Sequence, residues 1–337
     1  MNKFYILFLI LLLFNYFLFN LNNFISNKLK LFDYPDNKRK FHKKKTPLTG
    51  GIFIFINIII IFVLSKFDHF EYIGTIFQNK REFVSSSFLI SSLFIIGLYD
   101  DKYDLNPFKK LFLSAFFILL GLLIDESLII RELNFYTYNY SIKLMGLSIP
   151  FTILSFLLFI NSLNMFDGID LQVPLYILII FLYLVLSKNN HLIVFILPVM
   201  IFIIYLNYKQ KLFLGDSGTN LLASLISIIL IKQYNSGNQI IYCDEIFLLM
   251  LIPGIDMLRL FFTRILKGKN PFSSDNQHLH HLYLNKYSQT TTIIFIQMHI
   301  FIPILIFKFS NGLLLVILFV SMVIYVFSLF LLKLNNN

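Results

Sequence analysis

Charge is scarce in this chain: 14% of its 337 residues are Asp, Glu, Lys or Arg, against roughly 25% in soluble domains. Beside 57% hydrophobic residues, so little charge excludes an ordinary soluble domain and points to a lipid environment. Cysteine is almost missing. The single Cys243 excludes an internal disulfide and any thiolate metal cluster, and it reads as an apolar filler near a helix end. Tryptophan is absent while Phe and Tyr number 41 and 18; a coding bias accounts for that, and nothing structural follows from it. No small-x-small cleavage site follows the first apolar run, Phe4 to Phe19, so the run reads as a retained span and not a signal peptide. The apolar runs also lack the alternation of a membrane barrel, which leaves helices. No repeat array, long linker or soluble domain interrupts them, so residues 1–337 read as a single integral-membrane domain.

What is present is a succession of apolar runs. A bilayer core of about 30 Å takes about 20 apolar residues per helix. Spans are expected near 4–25, 52–66, 83–99, 107–124, 149–165, 173–187, 191–207, 214–231, 244–260, 291–308 and 312–332. The fold class is therefore an all-α, polytopic transmembrane bundle of ten or eleven helices. The net charge of +10 sits between the runs, which favours membrane orientation and anionic partners over nucleic acid. One alternate set of connections (26–51, 100–110, 207–216, 257–289 and the C-terminal tail) holds 19 of the 28 Lys and Arg. These connections are assigned to the cytoplasm, with the N-terminus outside and the C-terminus inside.

Polar residues beside apolar spans are costly and mark function, and here the Lys and Arg topology puts four groups of them on the cytoplasmic side. Asp100 and Asp101 end the third span. As a bland helix end they would be solvated acids; as neighbours they repel, so one can accept a proton or both can face a cation. Asn161, Asn164, Asp167 and Asp170 end the fifth span, the first three along one helix edge before Gly168 permits a break. They make an oxygen-rich surface suited to Mg²⁺ and to a nucleobase edge. In Phe213-Leu-Gly-Asp-Ser-Gly218, Asp216 or Ser217 reads as an N-cap, and the same amides can hold a metal beside a phosphate. His278, His280 and His281 could be a zinc site, but without a carboxylate or thiolate at suitable spacing they better suit phosphate contact beside Arg264, Lys267 and Lys269. The basic stretch Lys38 to Lys45 is a positive-inside anchor that would also attract a dianionic donor and a lipid phosphate.

In that order these residues resemble the polyprenyl-phosphate N-acetylhexosamine-1-phosphate transferases, the superfamily that includes the phospho-N-acetylmuramoyl-pentapeptide transferases. The resemblance runs from about residue 33 to about 285. It is carried by Asp33-Tyr-Pro35, Arg39-Lys40, His42 and Pro47-Leu-Thr-Gly-Gly51, then Gly97-Leu-Tyr-Asp-Asp101, Asn161 to Asp170 and Phe213 to Gly218. Ile252-Pro-Gly-Ile-Asp-Met257, Arg264, Pro271-Phe272 and Asp275-Asn-Gln-His-Leu-His-His281 complete it. The His-x-His-His loop is similar to that of the branch that uses UDP-GlcNAc or a related N-acetylhexosamine. Two departures stand out: Leu171 where the family has Gly after Asp-Gly-Ile-Asp, and a shorter, proline-free turn, Asn207 to Leu212, before Phe213.

The resemblance implies transfer of a sugar 1-phosphate from a UDP-N-acetylhexosamine to undecaprenyl or another polyprenyl phosphate, releasing UMP, in a bacterial inner membrane. It implies Mg²⁺, with Mn²⁺ as the substitute, held by Asp216 and Asn164. Asp100, Asp101, Asp167, His280 and His281 would be catalytic. Lys45, Asn161, Asp170, Phe213, Arg264 and His278 would bind substrate, with Asp170 on the uracil edge and Phe213 stacked on it. Partners are the two substrates and the bilayer, with no nucleic acid; a homodimer is left open. Rival readings are a UDP-deoxy-N-acetylhexosamine or UDP-MurNAc-pentapeptide donor and, more remotely, a transporter, whose sites would lie near the midplane on repeated broken helices. The topology gives the first test. Reporter fusions after Lys45, Lys109, Lys211 and Lys286 are expected to report cytoplasm, and those near Lys143 and Asn235 the exterior. An exterior signal at any of the first four breaks the one-sided arrangement.

Overall fold

The computed structural model describes residues 3–35, 44–65, 77, 79–136, 140–188, 191–236, 241–272, 276–310 and 313–334. Each expected apolar run falls on a helix. The first, however, is broken: α1 (Lys3–Asn20) and α2 (Asn22–Leu29) meet at a bend of 53°. A short antiparallel pair follows, β1 (Phe32–Asp33) with β2 (Thr46–Pro47), and then α3 (Gly50–Leu64). Helix α4 (Lys80–Tyr103) starts where the Asn79 side chain accepts the Glu82 N–H at 2.9 Å and stops at a left-handed Asp104. Helix α5 (Pro107–Ile124) starts with proline at its first position, behind an Asn106 cap on the Phe108 N–H; its missing N–H costs nothing there.

A hairpin, β3 (Glu132–Phe135) with β4 (Tyr140–Lys143), pairs Glu132 with Lys143 and Phe135 with Tyr140. The remaining helices are α6 (Ser148–Phe166), α7 (Gln172–Lys188), α8 (His191–Tyr208), α9 (Gly215–Asn235), α10 (Cys243–Leu266), the short α11 (Leu279–Leu284), α12 (Gln289–Phe309) and α13 (Leu314–Leu334). Among the described residues, six helices are long and apolar enough to cross a membrane, and the α1–α2 pair counts as a seventh if the bent pair is one span. Gly50–Leu64, Gln172–Leu186 and Ile193–Tyr208 are apolar but shorter. The protein is thus an all-α, multi-pass membrane chain, and the eleven-span count stays a proposal.

The fold divides into two units. The first comprises Met1–Glu126 and Val173–Leu225. In it α1 and α3 pack on α8, and α4 packs along α5. Asn15 of α1 and Asn57 of α3 exchange two amide hydrogen bonds of 3.0 and 2.9 Å in a buried setting. That reciprocal pair sets the register of two otherwise featureless apolar helices, because a slip would bury four unmade hydrogen-bonding groups. The second unit comprises Ser127–Gln172 and Ile226–Asn337. Here α10 packs against α6, α12 and α13, and outward apolar side chains such as Phe319, Val326 and Phe330 are exposed, as suits a lipid-facing surface.

The departure at Leu171 now has a conformation. Its φ is +68°, in the left-handed region where a β-carbon costs roughly 1–2 kcal/mol. Glycine would relieve that strain, less its own greater loss of chain entropy on folding. Leu171→Gly is therefore expected to raise stability by up to about 1 kcal/mol, read as a higher unfolding midpoint of the detergent-solubilised chain. A lowered midpoint would mean that the Leu171 side chain contributes more by packing than its backbone costs.

Candidate active site

In the first unit the site is built on a backbone-to-backbone contact. Phe213 donates its N–H to Pro47 O at 2.9 Å, and Gly50 and Gly51 donate theirs to Phe213 O and Leu214 O at 3.0 and 3.2 Å. The Pro47 to Gly51 stretch is thus a cradle for the chain entering α9. Behind it the peptide groups touch: a Cβ on Gly97 would lie 2.4 Å from the Asp216 carbonyl oxygen, and one on Gly51 2.5 Å from the Gly218 nitrogen. Gly215, at φ +68°, turns the chain into the helix. The shorter Asn207 to Leu212 turn closes without proline, through a left-handed Gln210 and a bond from the Lys211 N–H to Leu206 O.

The helix start takes its cap from elsewhere. Sequence suggested Asp216 or Ser217 as the N-cap, but the Asp101 carboxylate does this work from α4. Its Oδ1 accepts the Asp216 N–H at 2.7 Å and its Oδ2 the Ser217 N–H at 3.0 Å. Two of the four amides left over at a helix start are thereby satisfied by a full negative charge, as the helix dipole favours. Asp100, one residue back, turns another way because neighbouring helix positions do not share a face. Its Oδ1 accepts the Leu105 N–H at 2.7 Å, and its Oδ2 lies 2.6 Å from Lys110 Nζ. The same ammonium is 2.9 Å from Asp216 Oδ2. So the acidic pair does not act as one unit: Asp101 braces a helix, while Asp100 and Asp216 converge on one cation. The Asp216 side chain is the more open of these two, 37% exposed against 8% for Asp100.

Two carboxylates around one positive charge are suited to a hard divalent ion, which commonly takes one or two carboxylates and completes its shell with water and substrate phosphates. Among the described residues, no group of three or more His, Cys, Asp and Glu is arranged to hold a metal. Lys45, in the first unit too, has its Nζ 3.5 Å from the Phe32 ring centroid and 5.4 Å from that of Tyr34, a cation–π setting. Phe213 is partly buried, with its backbone in the cradle. Arg39, Lys40 and His42 lie outside the described residues.

The second unit holds the other candidates. Asn161 folds back, its Nδ2 donating to Leu157 O at 2.7 Å. Asn164 and Asp167 occupy the last turn of α6 and its cap, where the Asp167 N–H meets Leu163 O and Asn164 O. Asp170 follows in the turn; Asn164, Asp167 and Asp170 are all partly exposed. Gly168 is needed for close approach, because a Cβ there would lie 2.0 Å from His280 Nε2. His278 and His280 stack nearly parallel at 5.3 Å between centroids, and His281 lies 4.2 Å from His280. His280 is 1% exposed, and its Nε2 is buried without a hydrogen-bond partner among the described residues. Burial first, then the neighbouring His281 and His278, hold this imidazole well below its usual pKa, so it is neutral. Arg264 is buried and closes the loop after α10 by donating to Pro271 O at 2.8 Å. Asp275 lies outside the described residues.

Sequence reasoning gave no role to Lys110, Asp256, Arg259 or Tyr325. Asp256 carried a signal, an acid inside an apolar span. Lys110 carried none, being one of three basic residues in its loop.

Fold and carboxylate cluster describe a helical membrane enzyme, and comparison with known proteins places it. Residues 83–234 match the model of glycosyl transferase family 4. A protein of Pasteurella multocida named undecaprenyl-phosphate alpha-N-acetylglucosaminyl 1-phosphate transferase is 30% identical over 275 residues, 77% of this chain and 73% of the relative. Proteins of the same name from Yersinia pestis and Escherichia coli K12 are each 26% identical over 274 residues, 77% of this chain and 71% of each relative. The chain belongs to glycosyl transferase family 4.

The cradle yields a test with a counter-intuitive sign. By helix propensity alone, Gly97→Ala should stabilise α4 by up to about 1 kcal/mol. The clash with the Asp216 carbonyl should reverse that, costing about 1–3 kcal/mol and most of the activity. Gly146→Ala, whose methyl meets open space, should leave both unchanged. Unaltered activity and unfolding midpoint in Gly97→Ala would refute the tight backing of Asp216.

Proposed function

We propose that this protein transfers GlcNAc 1-phosphate from UDP-GlcNAc to undecaprenyl phosphate in a bacterial inner membrane, initiating a lipid-linked glycan. The reading is supported by the names of relatives that align with 77% of the chain. The observation that carries it is the convergence of Asp100 and Asp216 on one cation at a braced helix start. An oxygen of the lipid phosphate attacks the sugar-linked phosphorus of the donor. The bond from that phosphorus to the bridging oxygen breaks, and UMP leaves. Such transfer depends on positioning and charge neutralisation more than on covalent help.

Asp216 and Asp100 would hold Mg²⁺, with Asn164 as the further ligand implied by resemblance; when bound, the ion neutralises charge on the diphosphate. Lys110 supplies a second positive charge for phosphate oxygens. Asp100 is the member of the acidic pair assigned to the reacting phosphates, because Asp101 could meet them only by releasing the start of α9. His280, neutral and buried, supports its loop; His278, His281 and Arg264 are assigned to the sugar diphosphate, and Asp170 and Phe213 to the uracil.

The test uses membranes containing the full chain, Mg²⁺, undecaprenyl phosphate and a panel of radiolabelled UDP-GlcNAc, UDP-deoxy-N-acetylhexosamines and UDP-MurNAc-pentapeptide. Labelled lipid from UDP-GlcNAc, with UMP released, is expected. Asp216→Asn should lower the rate more than tenfold, above about 1.4 kcal/mol of barrier. Labelling from another donor alone overturns the sugar assignment, and Asp216→Asn activity within tenfold of wild type removes that carboxylate from the metal.

A further inference from the structure

Asp256 is an acid in the C-terminal half of α10, 3% exposed, and it is ringed by donors. Oδ1 accepts from Arg259 Nη2 and from the Tyr325 hydroxyl, each at 2.8 Å. Oδ2 lies 2.9 Å from His278 Nδ1, and the Leu279 N–H reaches both oxygens at 3.2 and 3.3 Å. Arg259 is itself held, through Nε to the Tyr325 oxygen at 2.9 Å and through Nη2 to Gln277 O at 2.6 Å. Every partner belongs to α10, to the His-x-His-His loop or to α13.

A carboxylate paired with a guanidinium has only acceptor atoms, so the proton in its contact with His278 sits on Nδ1. Asp256 therefore selects one ring form of His278, fixes the plane of the ring and leaves Nε2 as the nitrogen free for other contacts. The Leu279 N–H on the same carboxylate ties the start of α11 to α10. Stability alone is a poor reason for the cluster, since apolar groups of similar volume would pack there without the cost of desolvating an ion pair.

We propose that Asp256 is a positioning residue for sugar-phosphate transfer, acting through His278, with Tyr325 of the last helix as its brace. This rests on the assignment of His278 to the donor. It also makes α13, which lies wholly beyond the region of motif resemblance, part of donor handling. Asn at position 256 would keep the shape, and with its carbonyl oxygen kept on Arg259 and Tyr325 it would set its N–H₂ against His278 Nδ1, so the selected ring form is lost.

The test is a double-mutant cycle on the full chain in nanodiscs, with kcat and KM measured separately for UDP-GlcNAc and for undecaprenyl phosphate. Asp256→Asn is expected to lower kcat/KM for the donor about tenfold or more while the KM for the lipid stays unchanged. Added to His278→Ala, it should cost less than about twofold further, because the contact it serves is already gone. Tyr325→Phe should cost about threefold alone, with the same non-additivity. Losses that multiply in the double variants, or wild-type donor kinetics in Asp256→Asn, overturn the positioning role while leaving the reaction intact. Should Asp256→Asn not fold, the Tyr325→Phe and His278→Ala cycle decides, since Phe removes a single hydroxyl. A wild-type chain inactive with every UDP-sugar overturns the assigned reaction, and this role with it.

Discussion

The first unit depends on one carboxylate meeting two backbone amides. Asp101 accepts from the N–H groups of Asp216 and Ser217, and nearly everything else about the cluster follows. A helix start presents amides with no partner of their own, and close to a bilayer they cannot rely on water. A charged acceptor reached from α4 satisfies two of them and pins the first turn of α9. The glycines at 51 and 97 then let peptide groups come closer than any side chain would allow. Asp216 is consequently held by its own backbone rather than by its side chain, and its carboxylate stays available to a cation.

The second unit solves a related problem by another route. Its histidine loop carries only a six-residue helix, α11, too short to be stable by itself. Order comes from Asp256, which gathers a side chain and a backbone amide of the loop onto the long helix α10, and from Gly168, whose bare α-carbon accommodates the His280 ring. The neutral state of His280 is part of the same packing: a charged imidazole with a buried, unpartnered Nε2 would oppose it.

Helix content was legible in the sequence because continuous apolar runs leave a membrane chain no other regular structure. The break at Leu21 was not: Asn20, Asn22 and Asn23 mark the apolar run as ending there, but polar residues at a span end do not by themselves fix a bend. The hairpin at 132–143 was also missed, its short strands lying among polar loop residues. Among site residues, the acids and histidines announced themselves as polar groups beside apolar spans. What could not be read was their division of labour. Asp100 and Asp101 look equivalent in one dimension, and only the turn of about 100° between successive helix residues sends one to amides and the other to Lys110. Lys110 resembled its basic neighbours, and Tyr325 sits in a run of apolar residues that gives no hint of its hydroxyl's partner.

These partners separate the acids by what can be exchanged. A carboxylate bound to backbone N–H groups cannot trade them for anything without unravelling a helix, so Asp101 is committed to structure. A carboxylate bound to a lysine ammonium can trade it, because the lysine stem is flexible and a divalent ion carries twice the charge in the same place. Asp216 is of this second kind, and Asp100 is so through its Oδ2, while its Oδ1 is held by the Leu105 N–H. Asp256 combines the two, holding one backbone amide along with three side-chain donors, which suits a residue that orients a loop and itself stays put. By this criterion, the acids free to take part in chemistry are those with an oxygen on a lysine ammonium, and adjacency in sequence says nothing about it.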